Sequence, residues 1–235
     1  MPELLWLVFS LATSICLAAA RGEVCHQYSQ EIEAPCVKVI SRNENYEIRR
    51  YGESREDVWT NAHIASDSWS QVQSQGFYKN FDYISGGNSE EMTIPMTAPV
   101  LFRRAPPSSA EADGGGGGGD DGGGGGGWRV SFFVPAAFPS PADAPAPLDA
   151  DVEIVTSGAR TYAALLFPGF AAEADWPARE AELRAALAAD GVAVKPGDEE
   201  WGVVYAGYDS PFVLFNRHNE VWIEVEENAA IMLDK

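Results

Sequence analysis

Between residues 46 and 51 the chain alternates Tyr46, Ile48 and Arg50 with Glu47, Arg49 and Tyr51, a period of two that predicts a strand, and 58–64 predicts a second. The period then lengthens. Trp69, Val72, Gln73, Gly76, Phe77, Phe81 and Ile84 recur at i, i+3, i+4 spacing, the signature of a half-buried helix. Ser66 or Asp67 is placed to cap its start, and Gly86-Gly87 to end it. Residues 91–102 return to extended chain, with Pro95 and Pro99 at an edge or bend, and 128–135 read as the partner strand of 96–102.

The second half repeats this order. Strands are predicted over 152–155 and 160–168, then a helix over 175–190 capped by Asp175, with Pro177 in its first turn and Gly191 past its end. Strands over 201–208 and 212–225 close the chain, and 98–102 (APVLF) is echoed by 210–215 (SPFVLF) at the equivalent place after the helix. The pattern predicts two β-α-β-β units in a single α+β domain over 46–226, a distorted antiparallel β-barrel flanked by two helices.

Composition adds three expectations. Residues 103–127 contain two runs of six glycines around Asp120-Asp121, a flexible-linker composition inside the hairpin, and 136–150 form a Pro/Ala/Asp-rich surface loop. The first 20 residues read as a secretory signal: 4–20 is too short and too rich in terminal alanines for a good membrane span, and the alternative is a signal anchor. Cys16 falls inside that segment, leaving Cys25 and Cys36 in an N-terminal arm over 21–45, where an oxidising compartment favours a bridge between them; 227–235 is a tail. The localisation implied is the secretory pathway, extracellular or vacuolar.

A net charge of −19 argues against nucleic acid and anionic membranes as partners. Catalytic constellations are missing as well. The three histidines, His26, His63 and His218, show no metal-ligand spacing, no serine sits in a nucleophile elbow, and Cys25 and Cys36 are not spaced as a CxxC pair. No enzyme is predicted, and with no heptad the expected state is a monomer.

The string GFYKNFDYISGGNSEEMTIPMTAPVLF over 76–102, YEIRRY over 46–51, and YDSPFVLFNRHNEVWIEVE over 208–226 together resemble the SOUL family of haem-binding proteins. The matching positions include Gly76, Phe77, Phe81, Asp82, Tyr83, Ile84, Gly86, Asn88, Met96, Thr97, Pro99 and Val100. The resemblance implies the fold already predicted. It also implies non-covalent binding of haem or a related tetrapyrrole, without catalysis, in a cleft between the first helix and the loop before the last strands. Carried onto this chain, the cleft residues are Trp69, Gln73 and Phe77 on one side and Tyr208, Pro211, Phe212 and Arg217 on the other, with Arg217 facing a propionate. YEIRRY carries Arg49 and Arg50 where some members have a histidine, which leaves His63 and His218 as candidate axial ligands. Two other function classes stay open: a sensor or enzyme acting on another hydrophobic ligand, and a protein-interaction module with a vestigial cleft.

Overall fold

The computed structural model describes residues 24–29, 32–105, 127–195, 202–210 and 213–227. Along them run β1 (Val24–Ser29), β2 (Ile32–Arg42), β3 (Glu47–Tyr51), β4 (Asp57–Ile64), α1 (Trp69–Ile84), β5 (Val100–Arg104), β6 (Trp128–Phe133), β7 (Val152–Ser157), β8 (Arg160–Pro168), α2 (Asp175–Ala189), β9 (Val203–Gly207) and β10 (His218–Glu224). The ten strands form a single sheet in the order β1-β2-β3-β8-β10-β9-β5-β6-β4-β7, with every ladder antiparallel, curled into a distorted half-barrel.

The predicted repeat is present, with an exchange at its start. On either side of the central β9–β5 pair the order reads β9-β10-β8-β3 in one direction and β5-β6-β4-β7 in the other. Each unit is therefore β-β-α-β-β, and its first strand crosses to the other unit: β3 pairs β8, and β7 pairs β4. This pairing joins residues about a hundred positions apart, so it leaves no local trace in the sequence.

Both helices cover one face. Residues alternate along a strand, and in β9 Val203 and Tyr205 face the helices while Val204 and Ala206 face away. The helix-side core joins Val72 of α1 and Leu183 and Leu187 of α2 to Val130, Ala163, Val221 and Ile223 of the sheet. Trp69 and Trp176, in the first turns of the two helices, meet at 5.9 Å between ring centroids, with Tyr205 against both at 6.0 and 5.2 Å. The opposite face buries a second cluster, Tyr51, Trp59, Leu101, Phe133, Tyr162 and Trp222, with no helix over it among the described residues.

Several local expectations are corrected. The hairpin strand β5 runs on through Arg103 and Arg104, so the segment between β5 and β6 begins later than its composition suggested. The stretch 213–217 is loop rather than strand, since Asn216 has φ +52 and interrupts the ladder before His218. The residue before α1 is Ser68 and the one before α2 is Ala174, neither with a side-chain capping bond; Asp175 instead accepts a hydrogen bond from the Ala172 N–H. The arm contains two strands, and their register sets Cys25 opposite Cys36. The expected signal at 1–20, most of the glycine runs, and the end of the tail lie outside the described residues. Among the described residues no helix is long and apolar enough to cross a membrane, and no cluster of His, Cys, Asp or Glu is arranged to hold a metal ion.

Candidate functional site

α1 packs over β4 and β6, and α2 over β8 and β10, which leaves the central strands β5 and β9 as the floor of a valley between the helices. One side of α1 faces β4 and β6 through Val72, Gly76 and Asn80, all buried. A neighbouring stripe at i, i+4 spacing, Trp69, Gln73, Phe77 and Phe81, passes from buried to exposed along the valley wall. Phe77 and Phe81 stack at 5.6 Å, and Phe77 lies 5.4 Å from Phe132, the ladder partner of Val100. Val100 also pairs with Gly207 of β9, whose missing side chain leaves open space: among described residues, no atom lies within 4 Å of where a Cβ would stand. The valley is plugged at one end by the Trp69–Trp176–Tyr205 cluster. It opens over Val100 and Gly207 toward the loop that follows Tyr208.

Arg217 grips that loop. Arg217 donates from Nη1 to the carbonyls of Ser210 (2.7 Å) and Val213 (2.9 Å) and from Nη2 to that of Asp209 (3.0 Å), while its guanidinium lies 4.5 Å from the ring centroid of Phe170. Five N–H donors in a planar fork suit arginine to this multiple grip. Around it Phe170, Leu214 and Phe215 are exposed, an apolar rim to a charged latch.

The structure brings together only part of the expected set. Gln73 and Phe77 lie half-buried on the α1 stripe beside the valley. Trp69 belongs to the aromatic core that closes the valley's end, packed on Phe102 and Trp128 at 5.2 Å each. Tyr208 is on the wrong face: it shares parity with Val204 and Ala206, packs with the helix-free cluster, and donates its hydroxyl to Glu220. His218 is beside it at 4.2 Å, with Nε2 2.7 Å from Glu220 Oε1. His63 shares the parity of Trp59 on β4 and pairs with Glu153. Strand alternation thus turns both candidate axial histidines away from the valley. Pro211 and Phe212 lie outside the described residues.

Glu220 is the centre of the helix-free face. Fully buried in β10, it receives Arg49 Nη1 on both oxygens (3.0 and 2.9 Å), the Tyr208 hydroxyl (2.9 Å), the Trp222 indole N–H (2.6 Å) and His218 Nε2. Burial pushes its carboxyl pKa up, but the His218 hydrogen bond, the Arg49 charge and the Trp222 donor outweigh burial and hold it at about 2. The same burial, with the Glu220 charge alongside, raises the Tyr208 phenol well above its usual range. A carboxylate so fully paired is an ion pair that ties β3, β9 and β10 together. Nothing in its geometry offers a proton to a substrate.

Residues 32–224 match the family described as SOUL heme-binding protein. The chain belongs to the SOUL family. Within it, the human protein named Heme-binding protein 2 is 33% identical over 180 residues, covering 76% of this chain and 77% of the relative. Heme-binding protein 1 of Sus scrofa is 33% identical over 147 residues, covering 62% of this chain and 67% of the relative. Among solved structures, the EcmrR C-terminal domain covers 77% of this chain and 98% of its own at 10% identity, with a TM-score of 0.47.

The SOUL signature itself proves to be mostly architecture. Gly76 lets α1 settle onto β6, because a Cβ there would stand 2.2 Å from Val130 Cγ2. Gly86 takes φ +113 after the helix end, and the Asn88 amide donates to the carbonyls of Tyr83 and Met92 while its oxygen accepts from the N–H groups of Glu90 and Met92. The residues that sequence reasoning missed are Gly207, Phe81 as a valley residue, and Arg49 with Glu220. A signal for Glu220 was present: a lone acid at the head of a Val-Trp-Ile run is where a buried pair is expected.

Proposed function

We infer that this SOUL-family chain binds haem or a related tetrapyrrole, reversibly and without catalysis, as a carrier, scavenger or buffer. The observation that carries the reading is the helix-side valley, with Phe77 and Phe81 as one wall and a floor left open at Gly207. The residues present fit such a ligand: a planar apolar macrocycle matches the valley's aromatic wall and the exposed Phe170, Leu214 and Phe215, and the acidic side groups suit the Arg217 cation. Bound haem would contribute its large apolar surface and its iron. The protein's own residues supply apolar contact and one positive charge, and neither His63 nor His218 is turned toward the valley, so binding rests on burial rather than on coordination by either of these two.

We propose that this chain enters the secretory pathway, with a Cys25–Cys36 bridge pinning β1 to β2. Their opposed positions in the register support it.

The test is a haemin titration of residues 21–235 followed in the Soret region, with Gly207→Trp and His218→Ala alongside. The expected result is saturation near one equivalent, loss of about tenfold or more in affinity when the introduced indole fills the floor, and little change without His218. Unsaturable binding, or full affinity in the Gly207 variant, would reject the valley.

A further inference from the structure

The chain carries one apolar string twice and buries it once, and we propose that the second copy belongs to a tip that docks this protein on a zwitterionic lipid surface. In the first unit Val100-Leu101-Phe102 begins β5, and Leu101 and Phe102 are buried. Its echo, Val213-Leu214-Phe215, lies in the loop before β10 instead, with Leu214 65% and Phe215 82% exposed. Among the described residues no other large hydrophobic side chain is as exposed as Phe215.

A second connection adds to the tip. Gly169, at φ +93, turns the chain out of β8 and presents Phe170, which is 61% exposed. The end of β8 lies beside the start of β10, where Pro168 pairs with His218. Arg217 joins the two connections: it grips the 209–213 carbonyls while its guanidinium lies 4.5 Å from the Phe170 ring centroid. Exposed apolar side chains that stand singly are ordinary, but a cluster of them marks a contact surface.

Two features favour lipid over protein as the occupant. The exposed parts of Phe170, Val213, Leu214 and Phe215 come to well under the roughly 800 Å² per partner that a stable protein interface buries. A lipid surface takes up side chains one by one and needs no complementary shape. The backbone is also prepared, because carbonyls that approach an apolar phase are costly unless already paired. Those of Asp209, Ser210 and Val213 accept from Arg217, and the Val213 N–H donates to the Ser210 carbonyl at 3.0 Å, so the loop brings its own partners. Charge then selects the headgroup: a net charge of −19 repels an anionic surface and leaves a zwitterionic one.

The same side chains rim the valley, so docking turns its mouth toward the phase in which an apolar ligand dissolves. That consequence rests on the tetrapyrrole reading, whereas the docking does not.

The experiment floats residues 21–235, which include every described element, with vesicles of phosphatidylcholine alone or mixed with phosphatidylserine, and with no haemin in any arm. Binding to phosphatidylcholine is expected to be reversible and half-saturated on the order of 0.1–1 mM lipid, near the strength of a single acyl anchor. Phosphatidylserine should weaken it at low salt, and high salt should restore it. Replacing Leu214→Ser and Phe215→Ser together should weaken binding about tenfold or more with the thermal melt unchanged. Leu148→Ser, at a comparably exposed leucine on another loop, should change nothing. Phe215→Trp should keep binding, and its indole should be quenched by brominated acyl chains beyond any quenching of the native chain, whose described tryptophans are buried. No flotation on phosphatidylcholine, or full flotation of the double-serine variant, would overturn the proposal. So would a concentration-dependent dimer, abolished by the same variant, in place of lipid binding, which would make the tip a contact between copies of the chain. Because haemin is absent throughout, failure here leaves the valley to its own titration.

Discussion

The two faces of the sheet are built from the same strands and hold different physics. On the helix side, buried positions are almost all apolar, and the rings of Trp69, Trp128, Trp176 and Tyr205 pack together with charge only at their edge, where Arg104 lies 4.5 Å from the Trp128 centroid and Tyr205 donates to Glu180 at 3.0 Å. On the helix-free side, Glu220, Arg49, Asp57 and Arg103 are buried or nearly so among equally large aromatics. The apolar side leaves its central floor open at Gly207, where a large hydrophobic ligand loses water at little cost in unpaired polar groups. The charged side offers stability that depends on ionisation. One sheet can thus keep an apolar face and a charged face apart simply because neighbouring residues point to opposite faces.

The sharpest way to break this comparison is to remove the centre of the charged face. Glu220→Ala leaves Arg49 buried beside an empty carboxylate site and should cost about 3–5 kcal/mol of unfolding free energy in a urea titration. A loss below about 1 kcal/mol would mean that the network is incidental.

Acid should act on the same group. With the Glu220 carboxyl held at about 2 against an ordinary 4.5, its contribution is present above pH 4.5 and is lost as pH falls toward 2. That contribution is on the order of 3 kcal/mol. Thermal melts should show a steep acid limb in the native chain that is flattened in Glu220→Gln.

On the helix side the expected penalty is steric. Gly76→Ala forces a methyl onto Val130, whose Cβ would be 2.6 Å away and whose branched side chain has little freedom to turn, so about 1–3 kcal/mol should be lost. The loss should be the same at neutral pH and in mild acid, unlike that of the Glu220 variants. Smallest of all is the exposed pairing of Lys79 with Asp149 and Asp151, at 2.6 and 3.0 Å: Lys79→Ala should change stability by less than about 1 kcal/mol, and less still in high salt.

The order of elements, the two helices and the doubled unit were legible because periodicity and turn residues are local properties of the chain. The exchange of β3 and β7 was not, since both choices of neighbour satisfy the same alternation. At the site, Gln73 and Phe77 could be placed because α1 was predicted in register. Tyr208 was placed in the cleft by the resemblance and His218 stood as one of two remaining histidines, yet Tyr208 shares the parity of Val204 and Ala206 on β9 and His218 that of Trp222 on β10, so both face the other way. Arg217 was expected to face a propionate, and its additional grip on three backbone carbonyls is something no sequence pattern encodes.

The central claim is that a tetrapyrrole binds the helix side, and paramagnetic haemin reports this directly through the indole N–H resonances. Addition of one equivalent should broaden Trp69 and Trp176 at the end of the valley while leaving Trp59 and Trp222, across the sheet, much less affected. Broadening confined to Trp59 and Trp222 would place the ligand on the charged face and contradict the account.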